Sequence, residues 1–185
     1  MRIELLAFLL PTLLAVASAS DKPFTPRVVS DPLAAYYHYL VSEHLEGSVS
    51  VVHADFDCDG SPDVALTNSN DRGSGGEGWT IYLHRPDGKF IEVGSMGTKA
   101  ARFNITRRKP GIGRVAVQWR WGGGLNGITF YDVSRSGLRK ISEEAVQLTE
   151  DMPKPSRIEQ VFGANFSEQE RTVLRFEELQ SKYSK

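Results

Sequence analysis

Four aspartates recur at close spacing around one glycine, in the stretch Asp55-Phe56-Asp57-Cys58-Asp59-Gly60-Ser61-Pro62-Asp63. Clustered carboxylates repel one another unless a cation lies among them, and a shell of oxygen ligands is what Ca²⁺ prefers. Gly60 permits a sharp reversal, and the residue after it can turn its backbone carbonyl inward. The spacing predicts a calcium loop, the alternative being an acidic surface turn without a metal. The predicted ligands are Asp55, Asp57, Asp59, Ser61 and Asp63.

The segments on either side of this loop favour strands rather than helices. The twelfth residue of an EF-hand loop is a bidentate glutamate, but the corresponding residue counted from Asp55 is Leu66. The flanks, 48–52 and 64–67, are short and rich in β-branched residues, which favour strands. The sequence therefore predicts a strand, a calcium loop and a second strand.

The loop and the residues after it resemble one FG-GAP/VCBS repeat, the calcium-loop unit of integrin-type β-propeller blades. The resemblance covers 49–93 and is carried by 55–66, by Trp79-Thr80-Ile81-Tyr82-Leu83 and by Pro86-Asp87-Gly88-Lys89-Phe90. It implies a structural calcium ion on a β-scaffold, with the four aspartates as side-chain ligands and Ser61 as a main-chain ligand. It is unspecific for function.

A second, degenerate copy of this unit is predicted at 99–142. One constant offset relates Gly78, Thr80, Tyr82 and Gly88 to Gly127, Thr129, Tyr131 and Gly137, which indicates duplication. With a small shift, 63–66 falls beside 114–117. The counterpart of the calcium loop is 106–111, whose positive charge would repel a cation, so one metal site is expected. Two units do not close a propeller, which takes four or more blades.

Helical patterns flank the two units. Asp31-Pro32 is an N-cap followed by proline, and an apolar stripe continues to Leu45 before Gly47 ends the helix. A capping box at Ser167-Glu168-Gln169-Glu170 opens a C-terminal helix that reaches Tyr183. We expect an α+β fold of mainly antiparallel β-sheet, built from two blade-like units and flanked by an N-terminal and a C-terminal helix. The units either pack face to face or join one twisted sheet.

The N-terminal residues have the pattern of a secretory signal peptide. An apolar stretch from Leu5 to Val16 precedes Ala17-Ser18-Ala19, the small residues that signal peptidase recognises. We expect a signal peptide at 1–19, one domain at 20–185, a secreted or periplasmic location and no stable membrane anchor after cleavage. Cys58 is the only cysteine, so an intramolecular disulfide is excluded. The net charge of −1 and the absence of a basic stripe argue against nucleic-acid binding.

The best candidate for a partner-binding surface is the end of the strand predicted at 114–121. Tryptophan and arginine dominate binding hot spots, and a glycine run lets a partner approach the backbone closely. The competing interpretation places the tryptophans in the core. The candidate residues are Trp119, Arg120, Trp121, Gly122, Gly123 and Gly124.

The sequence contains no recognisable set of catalytic residues. We therefore expect a calcium-binding, non-enzymatic interaction protein with a protein or glycan ligand, one form of which is an inhibitor or immunity partner of an exported enzyme. The alternative is a calcium-dependent secreted hydrolase whose site includes His53 and His84. The oligomeric state is left open.

Overall fold

The computed structural model of the protein describes residues 24–73, 75–120, 125–147, 156–163 and 168–184, so the predicted signal peptide lies outside them. The helices are α1 (Pro32–Ser42), α2 (Arg157–Phe162) and α3 (Phe176–Tyr183), with a short 3₁₀ turn at Ser69–Asp71. The strands are β1 (Arg27–Val29), β2 (Val49–Ala54), β3 (Asp63–Asn68), β4 (Arg72–Gly73), β5 (Gly76–His84), β6 (Phe90–Thr98), β7 (Phe103–Lys109), β8 (Ile112–Arg120), β9 (Leu125–Ser134), β10 (Gly137–Gln147) and β11 (Arg171–Leu174).

These strands form two antiparallel sheets. The first sheet has the order β1-β6-β5-β3-β2-β11, with β4 paired to β5, and the second has the order β10-β9-β8-β7. Strands β2, β3 and β5 and the first part of β6 fall in the first predicted unit, and β7, β8, β9 and the first part of β10 fall in the second. The α+β class, the antiparallel sheets and the two flanking helices are confirmed, and the described strands form no closed propeller.

The two sheets pack face to face, which is one of the two arrangements that the sequence left open. Alternate residues of β5, Trp79, Ile81 and Leu83, point inward and are fully buried. They meet Val115 and Val117 of β8 in one apolar cluster. Each such buried side chain stabilises the fold by about 1.5–3 kcal/mol relative to an exposed one.

Helices cover the outer faces of both sheets. Tyr36, Tyr37 and Leu40 of α1 and Leu179 of α3 pack on the outer face of the first sheet. Phe162 of α2 packs on the outer face of the second. The Asp31 side chain accepts the backbone N–H groups of Leu33 and Ala34, as its N-cap position predicts. Among the described helices, none has the length and apolar character needed to cross a membrane.

Both flanking helices are shorter than the sequence predicts. Helix α1 ends at Ser42 rather than near Gly47, and His44 takes a left-handed conformation with φ of 55°. The capping box that was expected to open the C-terminal helix does not do so, because Arg171–Leu174 pairs with β2 as an edge strand. Helix α3 begins only at Phe176. Edge pairing with a distant strand outweighs the local capping signal here, and Ser167 itself lies outside the described residues.

Candidate metal centre

The acidic loop joins β2 to β3 at one end of the first sheet, as the sequence predicts. Phe56 anchors it, because its buried ring packs edge-on against Phe103 in the core with centroids 5.3 Å apart. Cys58 and Gly60 have positive φ values of 57° and 95°. The loop therefore folds back on itself tightly, and the glycine takes one of the two left-handed positions.

Asp55, Asp57 and Asp63 converge in this loop. Each offers a carboxylate oxygen, and these three oxygens all lie within 4.8 Å of one another. Asp57 and Asp63 are fully buried, and no residue in the described part of the chain donates a hydrogen bond to Asp57 Oδ2. A buried carboxylate oxygen without a partner is costly unless a cation or a donor compensates it. The three residues could hold a metal ion, and the donor set is all oxygen.

The surroundings of the triad penalise ionised carboxylates in the absence of a cation. Burial, then the charge of Asp59, raise the pKa of Asp57. Burial likewise raises the pKa of Asp63 to about 7. This rise occurs although Asp63 accepts the backbone N–H groups of His84 and Phe56, each at 2.7 Å, which favour the charged form. A bound cation would remove the penalty on both groups.

Asp59 lies outside the triad. Its Oδ2 accepts a hydrogen bond from Arg135 Nη2 at 2.6 Å, and its Oδ1 accepts the Ser61 backbone N–H at 2.8 Å. A second arginine, Arg107, donates to the Cys58 carbonyl at 2.8 Å. Of the predicted ligands, the structure thus brings together Asp55, Asp57 and Asp63, while Asp59 is paired with an arginine of the second sheet.

Both arginines were missed as loop contacts by sequence reasoning. The sequence gives a partial indication for Arg107. This residue belongs to the basic stretch of the predicted second unit, which occupies the place of the acidic loop in the first unit. The sequence gives none for Arg135, since 76 residues separate it from Asp59. It lies in the turn between β9 and β10, and that turn reaches the loop only after the two sheets have packed.

The residues of the predicted partner surface divide into buried, exposed and undescribed ones. Trp119 is 9% exposed, its Nε1 donates to Thr129 Oγ1 at 2.8 Å, and its ring lies over Gly127. Arg120 is exposed, and its backbone N–H bonds Gly75 at 3.0 Å beside a cleft of about 330 Å³ lined by glycines. Trp121, Gly122, Gly123 and Gly124 lie outside the described residues.

The two histidines considered for a hydrolytic site occupy separate environments. His53 is exposed on β2. The ring of His84 packs edge-on against Phe90, with centroids 5.2 Å apart, and only its backbone reaches the loop. Neither imidazole belongs to the carboxylate cluster.

Comparison with protein-family models, curated proteins and solved structures gives no significant match.

Proposed function

We propose that the protein is an exported binding protein whose acidic loop holds a structural calcium ion. The observation that carries the proposal is the fully buried Asp57: no described residue donates a hydrogen bond to its Oδ2, and one of its carboxylate oxygens converges with one each of Asp55 and Asp63. A divalent cation there would compensate three converging carboxylates. It would also relieve the cost of ionising Asp57 and Asp63 in a buried position.

Calcium is favoured over other cations by ligand chemistry. The converging groups are carboxylates without nitrogen or sulfur, which suits a hard cation, and the loop is irregular enough to supply carbonyls and waters at flexible distances. The FG-GAP/VCBS resemblance names the same ion and adds Asp59 and Ser61 to its ligands. Extracellular calcium modules bind with dissociation constants of about 10⁻⁴ to 10⁻³ M, which suits an exported protein.

The role of the metal would be to fix the end of the first sheet. The loop connects β2 to β3, places Phe56 in the core and is contacted by arginines from the second sheet. An ion bound to the native loop alone stabilises the fold by mass action, by about 2.7 kcal/mol when its concentration is one hundred times the dissociation constant. A site of this kind rigidifies a scaffold and leaves recognition to other surfaces.

Recognition would fall to the glycine-rich end of the first sheet and to residues 119–124, with a protein or glycan as the ligand. Arg120 and Gly75 lie together there, and glycine allows close approach of a partner backbone. An inhibitor or immunity partner of an exported enzyme is one form of this function. The leader at 1–19 would carry the chain to its secreted or periplasmic location.

The experiment is a calcium titration of residues 20–185 by calorimetry, with thermal unfolding in excess calcium and in chelator. We expect binding heat and a higher Tm in calcium for the parent protein. Asp57→Ala should abolish both, because it removes a buried ligand. Asp87→Ala is the matched control, since Asp87 is an exposed aspartate in the β5–β6 turn, and it should leave both unchanged. Absence of heat and of a thermal shift in the parent protein would refute the metal site.

A further inference from the structure

A groove of about 780 Å³ lies on the outer face of the first sheet, where α1 leaves β5 and β6 uncovered. Helix α1 forms one wall with Tyr36 and Tyr39, and β1 and β6 form the other with Arg27 and Glu92. This volume is in the range that accommodates small ligands or a peptide side chain. The groove is separate from the acidic loop, which contributes no residue to its lining.

Two hydroxyl side chains lie on the floor of the groove, beside the nearly buried Tyr82. Thr80 and Ser95 face each other across β5 and β6, with their hydroxyl oxygens 3.1 Å apart, and Gly78 pairs with Gly97 beside them. Ala35 of α1 and Tyr82 of β5 also line the groove, but Tyr82 is only 1% exposed and offers little apolar surface to a hydrophobic partner. The floor therefore suits a ligand that hydrogen-bonds.

The charges that line the groove do not cancel. Arg27 and Glu92 form an ion pair at 2.9 Å and compensate each other. Asp71 accepts the Tyr36 hydroxyl at 3.0 Å, but none of the ion pairs within the described parts of the chain includes it. Asp71 lines both this groove and the glycine cleft next to Arg120. One negative charge thus remains where the two depressions join.

Aromatic rings stand beside this uncompensated carboxylate. The rings of Tyr36 and Tyr39 lie 5.7 Å apart on α1, and Tyr39 is 44% exposed. Burial, then the charge of Asp71, raise the pKa of Tyr36, so its hydroxyl stays protonated and continues to donate to that carboxylate. Because Tyr36 is only 2% exposed, a cation that approaches Asp71 would meet the ring of Tyr39, and the faces of aromatic rings attract positive charge.

We infer that this groove binds an ammonium or guanidinium group, held by Asp71 and the exposed ring of Tyr39 over the hydroxyl groups of Thr80 and Ser95. The inference rests on the proposed binding function and gives it a ligand chemistry. Anions are disfavoured by Asp71, and apolar groups gain little from a floor whose exposed side chains are hydroxyls. The group can come from a free small amine or from a lysine or arginine side chain of a polypeptide.

The test uses residues 20–185 in saturating calcium, titrated with N-acetyl-arginine amide and with its neutral isostere N-acetyl-citrulline amide, while backbone amide resonances are followed by NMR. We expect shifts at Gly78, Thr80, Ser95 and Gly97, and citrulline binding weaker by about fivefold or more, the size expected for a carboxylate contact combined with a cation–π contact. Agmatine binding as tightly as the amide would support a free amine as the source. Tighter binding of Gly-Arg-Gly, with shifts that extend to Arg120, would support a polypeptide.

Two variants separate the ligand site from the fold. Asp71→Asn keeps an acceptor for the Tyr36 hydroxyl but removes the negative charge. The variant should therefore bind the arginine and citrulline probes with equal affinity. Tyr39→Ala, at a half-exposed position, should weaken the arginine probe severalfold, and Asp87→Asn should change nothing. Equal affinity of the parent protein for the two probes, shifts outside the groove, or tighter binding of a neutral disaccharide at the same resonances would overturn the inference. An unchanged calcium titration of Asp71→Asn distinguishes this failure from failure of the metal site.

Discussion

Arg135 is the side chain through which the second sheet places positive charge next to the acidic loop. Its guanidinium lies 2.6 Å from Asp59 Oδ2 and 3.2 Å from the His84 carbonyl. It therefore adds positive charge near the triad and holds a carboxylate that the sequence assigns to the metal. Arg135→Ala should raise the calcium affinity by about three- to tenfold, because a charge contact at a partly exposed site contributes about 1 kcal/mol. Calorimetry measures the change.

Arg139→Ala is the control for this substitution. Arg139 lies close in sequence and pairs with Asp132 at 2.9 Å, away from the acidic loop, so its removal should leave the affinity unchanged. A loss of calcium affinity in Arg135→Ala would show instead that the arginine orients Asp59 for the ion.

The pKa of Asp63 makes calcium binding depend on pH. In the metal-free fold this pKa is raised from 3.8 to about 7, chiefly by burial. The folded protein then keeps a proton that the unfolded chain has lost, so the free energy of unfolding without metal falls as the pH rises between these values and is flat above them. Calcium must displace that proton. The rise in Tm on adding calcium should therefore be larger at about pH 7.5 than at about pH 5.5. Equal shifts would contradict the prediction.

At the scale of elements, the loop depends on how closely β8 approaches it. A Cβ at Gly113 would lie 2.0 Å from the Phe56 carbonyl oxygen, a backbone atom that cannot move alone. Gly113→Ala should push the loop from β8, lower the stability by about 2–3 kcal/mol and weaken calcium binding, because overpacking displaces the backbone. Gly97→Ala is the matched control, since a Cβ there meets nothing within 4 Å. Thermal unfolding with and without calcium distinguishes the two.

Local sequence signals were sufficient for the elements whose partners follow directly along the chain. The β-branched flanks of the acidic loop predict β2 and β3, and Asp31-Pro32 predicts the start of α1, as observed. The C-terminal residues show the limit of such signals. Arg171–Leu174 carries a helical pattern, yet its pairing with β2 is set by strands more than a hundred residues earlier, which a local capping box does not register.

At the candidate metal centre, too, local features were predictable from the sequence and long-range contacts were not. The triad was predictable because Asp55, Asp57 and Asp63 lie within one loop. The pairing of Asp59 with Arg135 was not, because the β9–β10 turn approaches the loop only through sheet packing. The groove could not be predicted from the sequence either, because it brings Tyr36 of α1 together with Asp71 of the 3₁₀ turn. Contacts that form only through tertiary packing produce no recognisable pattern of residue spacing in the sequence.

At the scale of the whole molecule, the matched residues of the two predicted units lie on opposite faces of their sheets. In the first unit Val64 and Leu66 face the helices and Ala65 faces the other sheet. At the positions matched in the sequence the faces are reversed: Val115 and Val117 point to the other sheet, and Ala116 points to α2. Two sheets stacked in this orientation leave one outer face at each end. Such faces can bind further copies of the protein unless other elements cover them. Helices α1 and α3 cap one end, and α2 caps the other.

Removing the cap on the second sheet should therefore promote self-association. Phe162 is 5% exposed and packs with Ala116, Ile128 and Val146. Phe162→Glu places a charge in this contact, so α2 should detach at a cost of about 3 kcal/mol and uncover the apolar face. Analytical ultracentrifugation should then show concentration-dependent oligomers. Val41→Glu, at a 45% exposed position of α1, should leave the parent's sedimentation unchanged. A Phe162→Glu protein that is destabilised but sediments like the parent at every concentration would show that this face does not pair with copies of itself.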